Sequence, residues 1–124
     1  MKKEKYNGGQ VIVNYKNVDC IETVKVEDDY EIYYLYKSKI KVEKLKLPKI
    51  FKDVLTLRKY FNDLGFYNIG NYFINSNNFE VLEELEYDKD LDTQTVKIYM
   101  KNTQPIEVTV NRNVWLSFRN TKLA

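Results

Sequence analysis

The sequence predicts a mainly β protein of packed antiparallel sheets, with one central helix and a short C-terminal helix. Three observations predict it. Tyrosine, which favours strands, occurs 11 times in 124 residues, against 4 glycines and 2 prolines. Most apolar residues alternate with polar ones in short runs joined by tight connections, which suits antiparallel sheets rather than crossovers. One segment alone, around Val54 to Leu64, repeats apolar residues at helical spacing.

The elements follow in order. Residues 1–9, ending in Gly8-Gly9, read as a flexible tail, and residues 10–124 as one domain. Gln10 to Tyr15 reads as a short strand. Val18 to Val26 and Tyr30 to Lys37 read as a hairpin joined at Glu27-Asp28-Asp29. From Lys39 to Leu47, Ile40 and Val42 share one parity and Leu45 and Leu47 the other, so a β-bulge is expected at Glu43-Lys44, and Pro48 ends the strand.

Val54, Leu57, Phe61 and Leu64 then recur at spacings of three, four and three, an amphipathic helical stripe. Asp53 suits its N-cap, and Gly65 the left-handed position after its end, with Phe66 packing back. Phe66 to Asn75 reads as strand with polar interruptions, followed by a turn at Ser76-Asn77-Asn78. Phe79 to Tyr87 is a strand, and Val96, Ile98 and Met100 point inward from the next. After a turn at Lys101 to Gln104, Ile106, Val108 and Val110 form the returning strand. Asn111 caps a last helix, Arg112 to Phe118, with Val114, Trp115 and Phe118 as packing residues.

Composition excludes several function classes. The chain has no histidine and one cysteine, which removes the commonest general base and the usual zinc sites. A Ser/His/Asp or Cys/His centre is therefore impossible, and Gly8-Gly9 precedes a strand rather than the Lys-Ser/Thr helix start of a phosphate loop. Carboxylate pairs such as Asp28-Asp29 and Glu83-Glu84 read as solvated surface. No enzyme activity, metal or cofactor is expected. Cys20, in an apolar run, reads as a small buried hydrophobe. With no disulfide, no apolar leader and no run of about 18 apolar residues, a cytoplasmic, non-membrane protein is expected.

Net charge is only +2 but unevenly placed. Nine basic residues fall between Lys37 and Lys59 against Glu43 and Asp53, while seven acids fall between Glu80 and Asp92 against Lys89. The basic stretch fits a phosphate-facing patch or a strand face kept charged against edge pairing. The acidic stretch reads as a hairpin turn facing water, away from any polyanion.

Two segments carry the most information. Phe66-Tyr67-Asn68-Ile69-Gly70-Asn71-Tyr72-Phe73-Ile74-Asn75 resembles the central signature of the LytTR family of bacterial DNA-binding domains, in which a Phe after a helix leads to a polar pair, three apolar residues and an Asn. Ile106-Glu107-Val108-Thr109-Val110-Asn111-Arg112-Asn113-Val114 resembles the family's closing signature, a strand ending in a polar residue and an Arg that start the last helix. Val18 to Glu22 is similar to its opening strand. The resemblance spans roughly Val11 to Phe118. Where the family usually has Arg-Ser, this chain has Gly70-Asn71, and its opening loop carries Asp28 and Asp29, which repel phosphate.

The resemblance implies an elongated fold that presents loops to duplex DNA, and a transcription regulator working without a receiver domain. Its implied partners are double-stranded DNA, a second copy (as a homodimer or side by side on repeated sites) and a regulatory protein. Arg suits the guanine edge and Asn the adenine edge, so Arg112, Asn71 and Asn113 are the base-contact candidates. Lys37, Lys39, Lys41 and Arg119 are the phosphate-contact candidates. Asn75 reads as structural, satisfying a turn. The alternative function is a protein-interaction module on the same fold with lost or altered DNA binding; the weak net charge and Asp28-Asp29 favour it.

Overall fold

The computed structural model describes the backbone of residues 2–6, 9–26, 29–36, 42–46 and 54–120, and the side chains of 14–24, 33–35 and 57–120. Strands β1 (Lys2–Tyr6) and β2 (Gly9–Val13) pair as an antiparallel hairpin. The segment expected to be a free tail is thus a paired strand, because β2 offers its backbone donors and acceptors a protein partner. Tyr15, expected to end a strand, lies buried in a 3-10 turn, Tyr15–Asn17.

Strands β3 (Val18–Val26), β4 (Asp29–Tyr36), β5 (Val42–Lys46), β6 (Phe66–Ile69) and β7 (Tyr72–Asn75) form a five-stranded antiparallel sheet in the order β5-β4-β3-β7-β6. Helix α1 (Val54–Asp63) lies in the chain between the two edge strands, β5 and β6. Strands β8 (Phe79–Asp88), β9 (Thr93–Met100) and β10 (Ile106–Asn111) form a second antiparallel sheet, β10-β9-β8, followed by α2 (Arg112–Arg119). The protein is mainly β, as its alternation predicts.

Strand parity explains where the two cores sit. Ile21 pairs with Tyr34 on one side and Phe73 on the other, and all three face α1. Leu57 and Phe61 of α1 close that core, with the Phe61 and Phe73 rings 5.0 Å apart. Cys20 pairs with Leu35 and Ile74 on the opposite face. There they meet Val96, Ile98 and Met100 of β9, with Trp115 and Phe118 of α2. The five-stranded sheet is therefore covered on both faces, by α1 and by the smaller sheet with α2. Burial also pushes the Cys20 thiol well above its ordinary pKa, helped by Glu22 and Asp19 nearby.

The bulge expected at Glu43-Lys44 does not occur. The β4–β5 ladder runs unbroken from Glu31↔Lys46 to Leu35↔Val42. Five consecutive residues of β5 pair one to one with β4, so no extra residue interrupts the ladder. A shift occurs instead in β3, where Val18 pairs with Tyr36 but Cys20 with Leu35. Asp19 is the extra residue. It lets Val18 and Ile21, three apart, face the same core. It also turns the buried Asp19 carboxylate toward the β9–β10 turn.

Phe66 to Asn75, read as one interrupted strand, is a hairpin. Gly70 lies in the left-handed region at φ +61° and turns the chain with Asn71, so that Ile69 pairs with Tyr72. Gly65 ends α1 at φ +91° as its spacing predicts. The predicted Asp53 cap lies outside the described residues. Val114, expected to pack, is 40% exposed, and Leu116 is the partly buried residue of α2 beside Trp115 and Phe118. Among the described residues no helix is long and apolar enough to cross a membrane.

Candidate nucleic-acid interface

The two signature segments meet at one end of the molecule. A Cβ built on Gly70 would lie 3.3 Å from Val110 Cγ1 and 3.5 Å from Val108 Cγ1. The Gly70-Asn71 turn therefore rests on the last residues of β10, two positions before Arg112. The turn is held rigidly. Thr23 donates its N–H (2.8 Å) and its hydroxyl (3.1 Å) to the Asn71 carbonyl. Asn68 Nδ2 donates to the carbonyls of Gly70 and Tyr72. The Asn71 side chain is exposed on this fixed backbone.

Asn111 caps α2 as predicted: its side-chain oxygen accepts the Asn113 N–H at 2.9 Å. Arg112, the first residue of the helix, is oriented by three contacts. Its N–H donates to the Asp92 carbonyl at 2.9 Å. Its Nη1 donates to Gln94 Oε1 at 2.9 Å, and its guanidinium carbon sits 4.5 Å from the centre of the Tyr87 ring. Gln94 is itself fixed, because its Nε2 donates to the carbonyls of Glu86 and Thr95. Its oxygen is thereby left to face the arginine. Among the described residues one of its five guanidinium donors is engaged, and Arg112 stays partly exposed. Asn113 stands exposed beside it.

The acidic stretch forms an exposed hairpin, as its sequence predicts. Thr93 pairs with Asn111, so the β8–β9 turn also lies beside the start of α2. Tyr87 donates its hydroxyl to Asp92 Oδ1 at 2.9 Å, a bond that raises the tyrosine pKa. Asp88 Oδ1 accepts the N–H groups of Asp90 and Leu91, which shapes the turn. Asp88, Asp90 and Asp92 thus border the same end as Arg112.

Arg119 is not brought to this end. It lies seven residues further along α2, roughly 10 Å by helical rise. Its Nη1 is ion-paired with Glu84 Oε1 at 3.2 Å, and the same carboxylate oxygen accepts the Trp115 indole N–H at 2.7 Å. Lys37, Lys39 and Lys41 lie outside the described residues. Asn75 is structural as expected: it is buried, and its Nδ2 donates to the carbonyls of Tyr15 and Val18.

Tyr87 and Gln94, which hold Arg112, were not singled out from sequence. Gln94 had a signal: it shares the inward parity of Val96, Ile98 and Met100. Tyr87 had none, because its partner is fixed by a register shift between Glu84 and Tyr87. Among the described residues, no group of three or more His, Cys, Asp or Glu is placed to hold a metal ion. Comparison with protein-family models, with curated proteins and with solved structures finds no match to this chain.

Proposed function

We propose that the protein is a sequence-specific duplex DNA-binding regulator of LytTR type, reading DNA through the end that carries Arg112, Asn113 and Asn71. One observation carries this reading. The Gly70-Asn71 turn and the β10–α2 junction, 40 residues apart in sequence, pack together through Gly70 and Val110. They offer one arginine and two amides, the side-chain types that match guanine and adenine edges. Pre-orientation of Arg112 by Gln94 and Tyr87 suits bidentate recognition, because less freedom is lost on contact.

A second reading has its own observation. Asp88, Asp90 and Asp92 beside Arg112, and the exposed Val81, Leu85 and Leu91 of the same hairpin, favour a protein partner over a polyanion. Titration of the chain with random duplex at 50 and 200 mM salt separates the two. A DNA reader loses affinity steeply with salt. Absence of salt-dependent duplex binding overturns the DNA reading in favour of a protein partner.

A further inference from the structure

A groove of about 630 Å³ opens between α1 and α2, above the edge strand β6. Its floor includes Phe66 and Phe118, one from each core. Val114 lines one wall, which accounts for an apolar side chain left 40% exposed on a helix that otherwise buries its large apolar residues. The volume falls in the range of small-molecule sites.

The charge of the groove is one-sided. Arg58 and Lys59 of α1 line it, and among the described residues no carboxylate does. Neither cation has an ion-pair partner among the described residues, whereas Arg119 on α2 does. Asn62, Asn113 and Ser117 add exposed amide and hydroxyl donors to the rim. An apolar floor, two cations without an ion-pair partner among the described residues, and neutral donors together complement a ligand with an apolar body and one anionic head.

We propose that this groove binds a small organic anion, a carboxylate on an aromatic or aliphatic body, with the body over Phe66, Phe118 and Val114 and the head toward Arg58 and Lys59. The inference uses neither Arg112 nor Asn71, and shares with the proposed DNA-reading end only Asn113, on the groove's rim.

The test is amide-resolved NMR titration of the full chain with 2-naphthoate and, as the uncharged counterpart, 2-naphthamide. The expected result is saturable shifts at Asn62, Asn113 and Ser117 with naphthoate, and at least tenfold weaker binding of naphthamide. Arg58→Glu with Lys59→Glu, on exposed helix positions, should weaken naphthoate at least tenfold and leave naphthamide unchanged. Ser117→Trp, which fills the groove, should abolish both. An unchanged denaturation midpoint verifies the fold of each variant, and Arg58→Gln replaces any variant that fails this check. The proposal is overturned by equal binding of the two probes, by shifts centred elsewhere, or by no saturable shift. It is also overturned if the charge reversal weakens random duplex but not naphthoate, which makes Arg58 and Lys59 phosphate contacts.

Discussion

Asp19, fully buried in β3, accepts the backbone N–H of Thr103 in the β9–β10 turn at 2.8 Å. The same carboxylate accepts the Asn102 N–H (2.8 Å) and the side-chain amides of Asn102 (2.9 Å) and Asn78 (3.0 Å). One bulged residue thus joins the five-stranded sheet to the three-stranded one. Asp19→Ala leaves two buried donors and two partly buried ones without this acceptor, each buried one costing about 1–3 kcal/mol. The expected loss is on the order of 3 kcal/mol or more, and Asp19→Asn, which keeps one acceptor, should lose less. Urea denaturation measures both. A loss under about 1 kcal/mol for Asp19→Ala contradicts the linking role.

Phe61 is fully buried and packs on Phe73 across the α1 core. Phe61→Ala should therefore cost about 3–5 kcal/mol in equilibrium unfolding. This prediction follows from the sequence as well as the structure, because the three-four-three stripe places Phe61 inward.

Gly70 combines a left-handed backbone with a close neighbour, Val110. Gly70→Ala should destabilise by roughly 1–2 kcal/mol, the cost of a left-handed L-residue, with crowding against Val110 adding to it. The double variant with Val110→Ala should recover the crowding part in a double-mutant cycle. Additive losses speak against the contact between the two signature segments.

Alkaline pH should destabilise the fold. Burial first, and then Glu22, pushes the Tyr72 hydroxyl from 10.0 up to about 12, and burial raises the Cys20 thiol well above 9.0. Both groups are neutral when protonated. The unfolded chain therefore ionises first as pH rises, and stability present below about pH 9 declines from there through about pH 12. Tyr72→Phe should flatten the slope between pH 10 and 12. A slope unchanged in that variant sinks the assignment. The buried thiol should also resist iodoacetamide until the protein unfolds.

The sequence makes legible what depends on period. The α1 stripe, the inward parity of Val96, Ile98 and Met100, and the caps at Gly65 and Asn111 all follow from spacing. What was not legible depends on which strand lies beside which. The bulge at Asp19 and the nearness of Asp92 to Arg112 are set by pairing registers that no local pattern encodes. Val114 misled because its spacing in α2 suits packing, while the groove leaves that face uncovered. Arg112, Asn71 and Asn113 are candidates because the two segments that resemble signatures carry them. Gln94, which lies outside both segments, was missed.

Arg112 bears the most discriminating functional prediction. If it contacts a guanine through two donors, Arg112→Ala should cost about 1–3 kcal/mol at the cognate site and relax preference at one base pair. Arg112→Lys should not restore that preference, since an ammonium lacks the planar fork. Gln94→Leu removes the acceptor that orients the guanidinium at 2.9 Å without touching DNA. It should weaken cognate binding less than Arg112→Ala and reduce discrimination at the same base pair. Lys39→Ala, by contrast, should weaken cognate and random duplex alike and lower the salt slope by about one unit, as a phosphate contact does. These patterns are measured by selecting bound sequences from a random duplex pool and then titrating each variant on the selected site. Equal weakening of all sequences by Arg112→Ala means that Arg112 positions the protein, and discrimination then falls to Asn71 and Asn113 or to DNA shape. If Arg112→Ala and Lys39→Ala both bind duplex as the wild type does, and wild-type affinity is independent of salt, the acidic hairpin bordering Arg112 decides the matter for a protein partner.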